Sequence, residues 1–214
     1  MNNKKLSPWL PTIIFGAATV VSIIYYAASG GRQATSYLQL AIALVVPAIV
    51  PVFGIITKKP YPPALSIIFG VLVLLGLDFA KAFRFYSFFP EYDKVLHTVF
   101  GLVGSAIIYM FIVRWGGDKM SDVGIMLLVF LGVMGLGAIW EMIEYYCSFI
   151  PGEDPQGVWG VIDAAISSGE RGLNPLYDTI EDLFVTVIGS FAFIICYLAD
   201  KLRGGKIFKK LFTI

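Results

Sequence analysis

Apolar residues in this chain run in long blocks, broken by short polar stretches. Six blocks approach or exceed the roughly 20 residues an α-helix needs to cross a hydrocarbon layer: about 9–28, 36–56, 64–83, 95–114, 122–147 and 179–199. The pattern predicts an all-α protein, a polytopic transmembrane bundle of about six spanning helices in one integral membrane domain covering 1–214. The first block follows Lys4 and Lys5, as a signal peptide would. It is longer than the usual signal core of about 7–15 residues, so it reads as a retained helix. Pro47 and Pro51 fall inside the second block, where a missing backbone donor predicts a kink. Between the fifth and sixth blocks, residues 148–177 form a long connection. Trp159, Ile162 and Ile166 could make it a short interfacial lid helix, and a disordered loop fits equally.

Composition supports the membrane reading. Hydrophobic residues make up 57% of the 214 positions and charged residues 14%, against about 25% charged in soluble domains. The basic residues are not interleaved with aromatics, so nucleic acid is set aside as a partner. Their placement sets an orientation. With both termini cytoplasmic, eleven Lys/Arg lie inside and five outside; the outer ones are Arg32, Lys81, Arg84, Lys94 and Arg171. Twelve of the fifteen Asp/Glu then fall on the outer side. Acids have little control over topology, so this excess needs another explanation. The basic tail from Lys201 to Lys210 fits contact with anionic membrane lipids.

The outer ends of four helices carry ionisable residues. The third ends with Asp78, Lys81 and Arg84, and the fourth opens with Asp93, Lys94 and His97. The fifth ends with Glu141 and Glu144, and the sixth opens with Asp178, Glu181 and Asp182. Asp93 and His97 share a helix face that continues through Gly101, Gly104 and Ser105. Glu141 and Glu144 lie above Gly137; Asp178 and Asp182 lead into Thr186, Gly189 and Ser190. Small residues in membrane helices usually face a neighbouring helix, so these acids point inward. Glu181 leads instead into Val185 and Ile188, towards headgroups or a loop.

Five carboxylates and one imidazole in one place must share protons, pair with bases or bind a cation. The set Asp93, His97, Glu141, Glu144, Asp178 and Asp182 suits a divalent metal ion such as Mg²⁺, Mn²⁺, Zn²⁺ or Fe²⁺. A metal-free polar pocket and a purely structural network remain alternatives. For a metal site, His97, Glu141 and Asp182 are the candidate catalytic residues. Lys81, Arg84 and Asp78 are candidates for substrate binding, the two bases offering donors to a phosphate oxygen.

The segments Tyr92-Asp93-Lys94-Val95-Leu96-His97, Trp140-Glu141-Met142-Ile143-Glu144 and Asp178-Thr179-x-x-Asp182 with Gly189 resemble the YjdF-type family of uncharacterised bacterial inner-membrane proteins. The Asp-Lys-x-x-His opening is also similar to VanZ-like proteins, which tend to carry Asn where Asp182 stands. The resemblance covers about the C-terminal two thirds of the chain and implies a polytopic helical protein with these shared polar residues. It implies no settled activity. Three functions fit: a metal-dependent membrane enzyme acting on lipid or lipid-linked envelope substrates, a cation or small-solute transporter or binding protein, and a non-enzymatic envelope accessory protein. The polar groups sit near one membrane edge with no matching path through the other half, which disfavours transport.

Overall fold

The structure is a computed structural model that describes residues 7, 9–58, 61–89, 91–116, 119–151, 155–156 and 175–212. Among the described residues there are no strands. Six helical stretches are long and apolar enough to span a membrane: Trp9–Ala28, Ala34–Ile56, Pro63–Ala82, Tyr92–Arg114, Asp122–Cys147 and Leu176–Leu202. The all-α, six-span expectation is therefore met. The fourth and sixth helices start earlier than their apolar blocks, because hydropathy marks the hydrocarbon depth while backbone hydrogen bonding continues through polar residues. No more than 33% of any span's apolar window is buried inside the protein. The exposed remainder, with Ile13, Ile24, Leu131 and Phe184 on it, has an apolar environment only if lipid surrounds it.

The chain divides into two compact units, Met1–Tyr92 with Tyr197–Ile214, and Asp93–Cys196. In the first unit, α1 (Trp9–Ala28) packs against α2 (Ala34–Val45), α4 (Pro63–Val73) and the stretch after α4. The expected proline kink is a short 3-10 turn, Val46–Ala48, that joins α2 to α3 (Ile49–Ile56). Pro51 has no N–H to give to the carbonyl four residues back, which is that of Pro47. The Thr12 hydroxyl on α1 donates to that oxygen at 2.9 Å, so the acceptor is satisfied from a neighbouring helix.

Two further features shape this unit. Helix α1 ends in a glycine turn: Gly30 has φ 83°, its N–H reaches Ala27 O at 3.2 Å, and Gly31 N–H reaches Tyr26 O at 2.9 Å. A Cβ at Gly31 would run into the Tyr26 ring. The second feature has no signal in the apolar pattern. Leu74–Ala82 is wound as a π-helix, and Phe83 N–H donates five residues back to Asp78 O at 3.3 Å. The Asp78 side chain is fully buried, and Thr19 donates to its Oδ2 at 3.2 Å. One helical turn, α5 (Phe85–Phe88), follows after Arg84.

The second unit is built on α6 (Tyr92–Arg114), α7 (Asp122–Cys147) and α8 (Pro175–Leu202). Ser121 caps α7, its hydroxyl accepting from Gly124 N–H at 3.2 Å. The small-residue stripes lie where the helices meet. A Cβ on Gly101 would strike the Thr186 carbonyl, and one on Gly189 would strike the Thr98 carbonyl. Helices α6 and α8 thus cross with their backbones in contact. Ser105 and Ser190 hydrogen-bond across the crossing at 3.0 Å, both fully buried. Gly104 admits Val133 of α7, and Gly137 of α7 faces Leu183 of α8.

Helix α8 ends at a second glycine turn, with Gly204 at φ 99°. The Asp200 carboxylate then receives the N–H groups of Ile207 and Phe208, at 3.1 and 2.9 Å, from α9 (Lys206–Phe212). The lid helix expected around Trp159, Ile162 and Ile166 lies outside the described residues.

Candidate functional site

The α6/α8 crossing determines what the ends of these helices can touch. Lys94, Thr98 and Gly101 lie on the side of α6 that meets α8, so the Lys94 stem reaches the first turns of α8. Its Nζ lies 2.9 Å from Asp178 Oδ1, 2.8 Å from Asp182 Oδ1 and 3.7 Å from Glu181 Oε2. From sequence Lys94 is only one of the basic residues at the outer helix ends. Its length lets it bridge two carboxylates on another helix. Glu181 was expected to point away towards headgroups or a loop; it is half-buried, and its carboxylate borders this pair.

His97 lies one turn deeper on α6 and is buried. Its Nε2 is 3.5 Å from Glu141 Oε1 on α7 and 4.0 Å from Asp93 Oδ1. Gln156, in the turn after α7, was not anticipated at all. Its Nε2 donates to Glu141 Oε2 at 2.9 Å and approaches Glu141 O and Thr179 Oγ1 at 3.0 and 3.1 Å. No helical period reaches a loop residue, so sequence spacing gives no signal for it.

Burial grades across the cluster. Asp93 and Asp178 have side chains 22% and 18% exposed and form a rim. Glu144 and Glu141 are buried, and Asp182 is closed off completely. One ligand atom from each of His97, Glu141 and Asp182 lies within 4.8 Å of the others, and the same holds for Asp93, His97 and Glu144 and for Asp93, Asp178 and Asp182. All six sequence-derived metal candidates thus fall into three overlapping groups.

The hydrogen bonding of the inner group has a regular form. Asp182 gives Oδ1 to Lys94 and leaves Oδ2 with no hydrogen-bond partner among the described residues. Glu141 gives Oε2 to Gln156 and leaves Oε1 without one. His97 Nδ1 and Glu144 Oε2 are also buried without one. Each unmet buried polar atom costs about 1–3 kcal/mol, more for a charged group. Unmet atoms on four residues of these overlapping groups call for a ligand, a proton or water. Atoms no more than 4.8 Å apart are close enough to share one cation at metal–ligand distances of about 2.0–2.6 Å after small side-chain shifts. An imidazole with two or three carboxylates fits a hard or borderline divalent cation.

The three candidates for substrate binding belong to the other unit. Lys81 and Arg84 line a cavity there, and Asp78 is buried against Thr19.

Residues 9–201 match the family described as predicted membrane protein (DUF2238), so the chain belongs to that family. An uncharacterised membrane family is what the three sequence segments had led us to expect. No curated protein and no solved structure matches the chain.

Proposed function

Taking the chain as a member of that membrane family, we propose that the unit formed by α6, α7 and α8 binds a divalent cation on His97, Glu141 and Asp182. Asp93, Glu144 and Asp178 lie around it and supply the remaining charge. What carries this reading is the division of labour in the two carboxylates: one oxygen held by Lys94 or Gln156, the other unspent and buried. Lys94 and Gln156 then act as outer partners that aim the ligand oxygens. A cation at the end of a membrane span would polarise a phosphoryl oxygen or activate water, so the substrate class is a lipid or lipid-linked envelope phosphate. The competing metal-free pocket draws on Lys94, whose ammonium already offsets Asp178 and Asp182.

Metal analysis and thermal unfolding in detergent test this. After chelation and add-back, one divalent ion should raise stability, by about 2.7 kcal/mol at a hundredfold excess over Kd. His97→Ala should abolish the rise and Glu141→Gln should reduce it strongly. Lys201→Gln should leave it unchanged. Each variant is first checked for a cooperative transition in chelator. A wild type that shows neither bound metal nor a shift would leave the metal-free pocket as the account.

We also propose that both termini are cytoplasmic and the acidic site extracytoplasmic, on the eleven-to-five division of Lys and Arg. In a variant lacking Cys147 and Cys196, single cysteines at 150 and 176 should react with an impermeant thiol reagent in intact cells, and one at 58 should not. The opposite labelling would put the site on the cytoplasmic side.

A further inference from the structure

Three segments of the first unit bring cations to one cavity of about 530 Å³. Arg32 comes from the α1–α2 turn, Lys81 from the π-helical stretch, and Arg84 from the turn after it. Gln33, Ser36 and Tyr86 add hydroxyl and amide groups to the lining, which contains no carboxylate among the described residues. The size is that of an ordinary small-ligand pocket. Three cationic side chains on one lining suit an anionic ligand.

Backbone geometry fixes two of the three. Arg32 directly follows the Gly30-Gly31 turn, where Gly31 lies against the Tyr26 ring with no room for a side chain. Arg84 itself has φ 55°, in the left-handed region that residues other than glycine rarely occupy. Such strain is kept where the surroundings over-determine it, commonly at ligand clamps. The cavity lies at span ends: Trp9–Ala28 and Pro63–Ala82 finish there and Ala34–Ile56 begins there. That is headgroup depth, where phosphates are concentrated.

We propose that this cavity binds a phosphate-bearing anion, clamped by Arg32, Lys81 and Arg84. Arginine suits the task because its planar fork meets two phosphate oxygens at once. Lys81 and Arg84 were expected from sequence to meet a phosphate. Arg32 completes the set, and Asp78 does not line the cavity. The inference does not depend on the cation reading.

The test uses the full chain in a zwitterionic detergent with excess chelator, so that divalent cations play no part. Two probes are titrated separately, dioctanoyl phosphatidylglycerol and inorganic phosphate, with the unfolding midpoint as readout. A saturable rise with the lipid alone assigns a headgroup phosphate; a rise with both assigns the phosphate group itself. Arg32→Gln and Arg84→Gln should each weaken binding at least tenfold, while Lys119→Gln, which does not line the cavity, should bind as wild type. Arg84→Gly keeps the backbone turn without the guanidinium and should also lose binding, which separates charge from folding. No saturable response to either probe, or equal responses in the Arg and Lys119 variants, would overturn the proposal.

Discussion

Lys94→Met should destabilise the protein by about 3–5 kcal/mol, the usual cost of removing one partner from a buried ion pair. The ammonium is the only cation within 4 Å of Asp178 and Asp182 among the described residues. Asp182 is completely buried, so water does not screen its charge. The magnitude reflects the stranded carboxylates more than the attraction lost. Adding Asp178→Asn to the Lys94→Met protein should therefore recover part of the loss, a coupling that unfolding by a denaturing detergent would measure. If the cation reading is right, a divalent ion should stabilise Lys94→Met less than it stabilises the wild type, because the ammonium no longer aims the Asp182 carboxylate. Additive single and double variants would mean that the 2.8 Å contact contributes little.

The second large effect is expected at the crossing of α6 and α8. In Gly189→Ala the new methyl meets the Thr98 carbonyl, and in Gly101→Ala it meets the Thr186 carbonyl. A side chain can change rotamer, but a helix backbone can yield only by moving the whole helix. Overpacking costs about 1–3 kcal/mol where side chains can adjust, so each variant should lie at or above that range. The two should be strongly non-additive, because the first already parts the helices and makes room for the second. Gly135→Ala is the control: a Cβ there meets nothing within 4 Å, and alanine is the better helix former. Its stability should be unchanged or slightly raised. Parting α6 from α8 also draws Asp182 away from His97, so any divalent-ion response should disappear in Gly189→Ala.

These two cases show what the sequence carries and what it does not. The crossing was legible, since Gly101, Ser105, Gly189 and Ser190 recur at helical spacing in otherwise bulky spans. The inward set of acids was legible for the same reason, because helical period gives direction. Lys94 was harder, since a long side chain is not confined to the stripe from which it starts. Gln156 was out of reach because its position depends on a turn. The π-helical winding around Asp78 left no mark either: it shifts the hydrogen-bond ladder by one residue without altering the run of apolar residues. Arg32 looked like an ordinary loop cation because its partners, Lys81 and Arg84, are about fifty positions away in the chain.

The bond from Thr12 to the Pro47 carbonyl has a consequence for how the protein is made. A membrane chain emerges from its N-terminus, so the donor on α1 is synthesised before the acceptor, which lies in the 3-10 turn after α2. When the second helix enters the bilayer, the group that completes its broken ladder is already there. A chain started after the first span would carry a bare carbonyl into hydrocarbon, at several kcal/mol. Order of synthesis and helix adjacency thus protect the same weak point, and the two proline-linked halves of the second span need not insert alone.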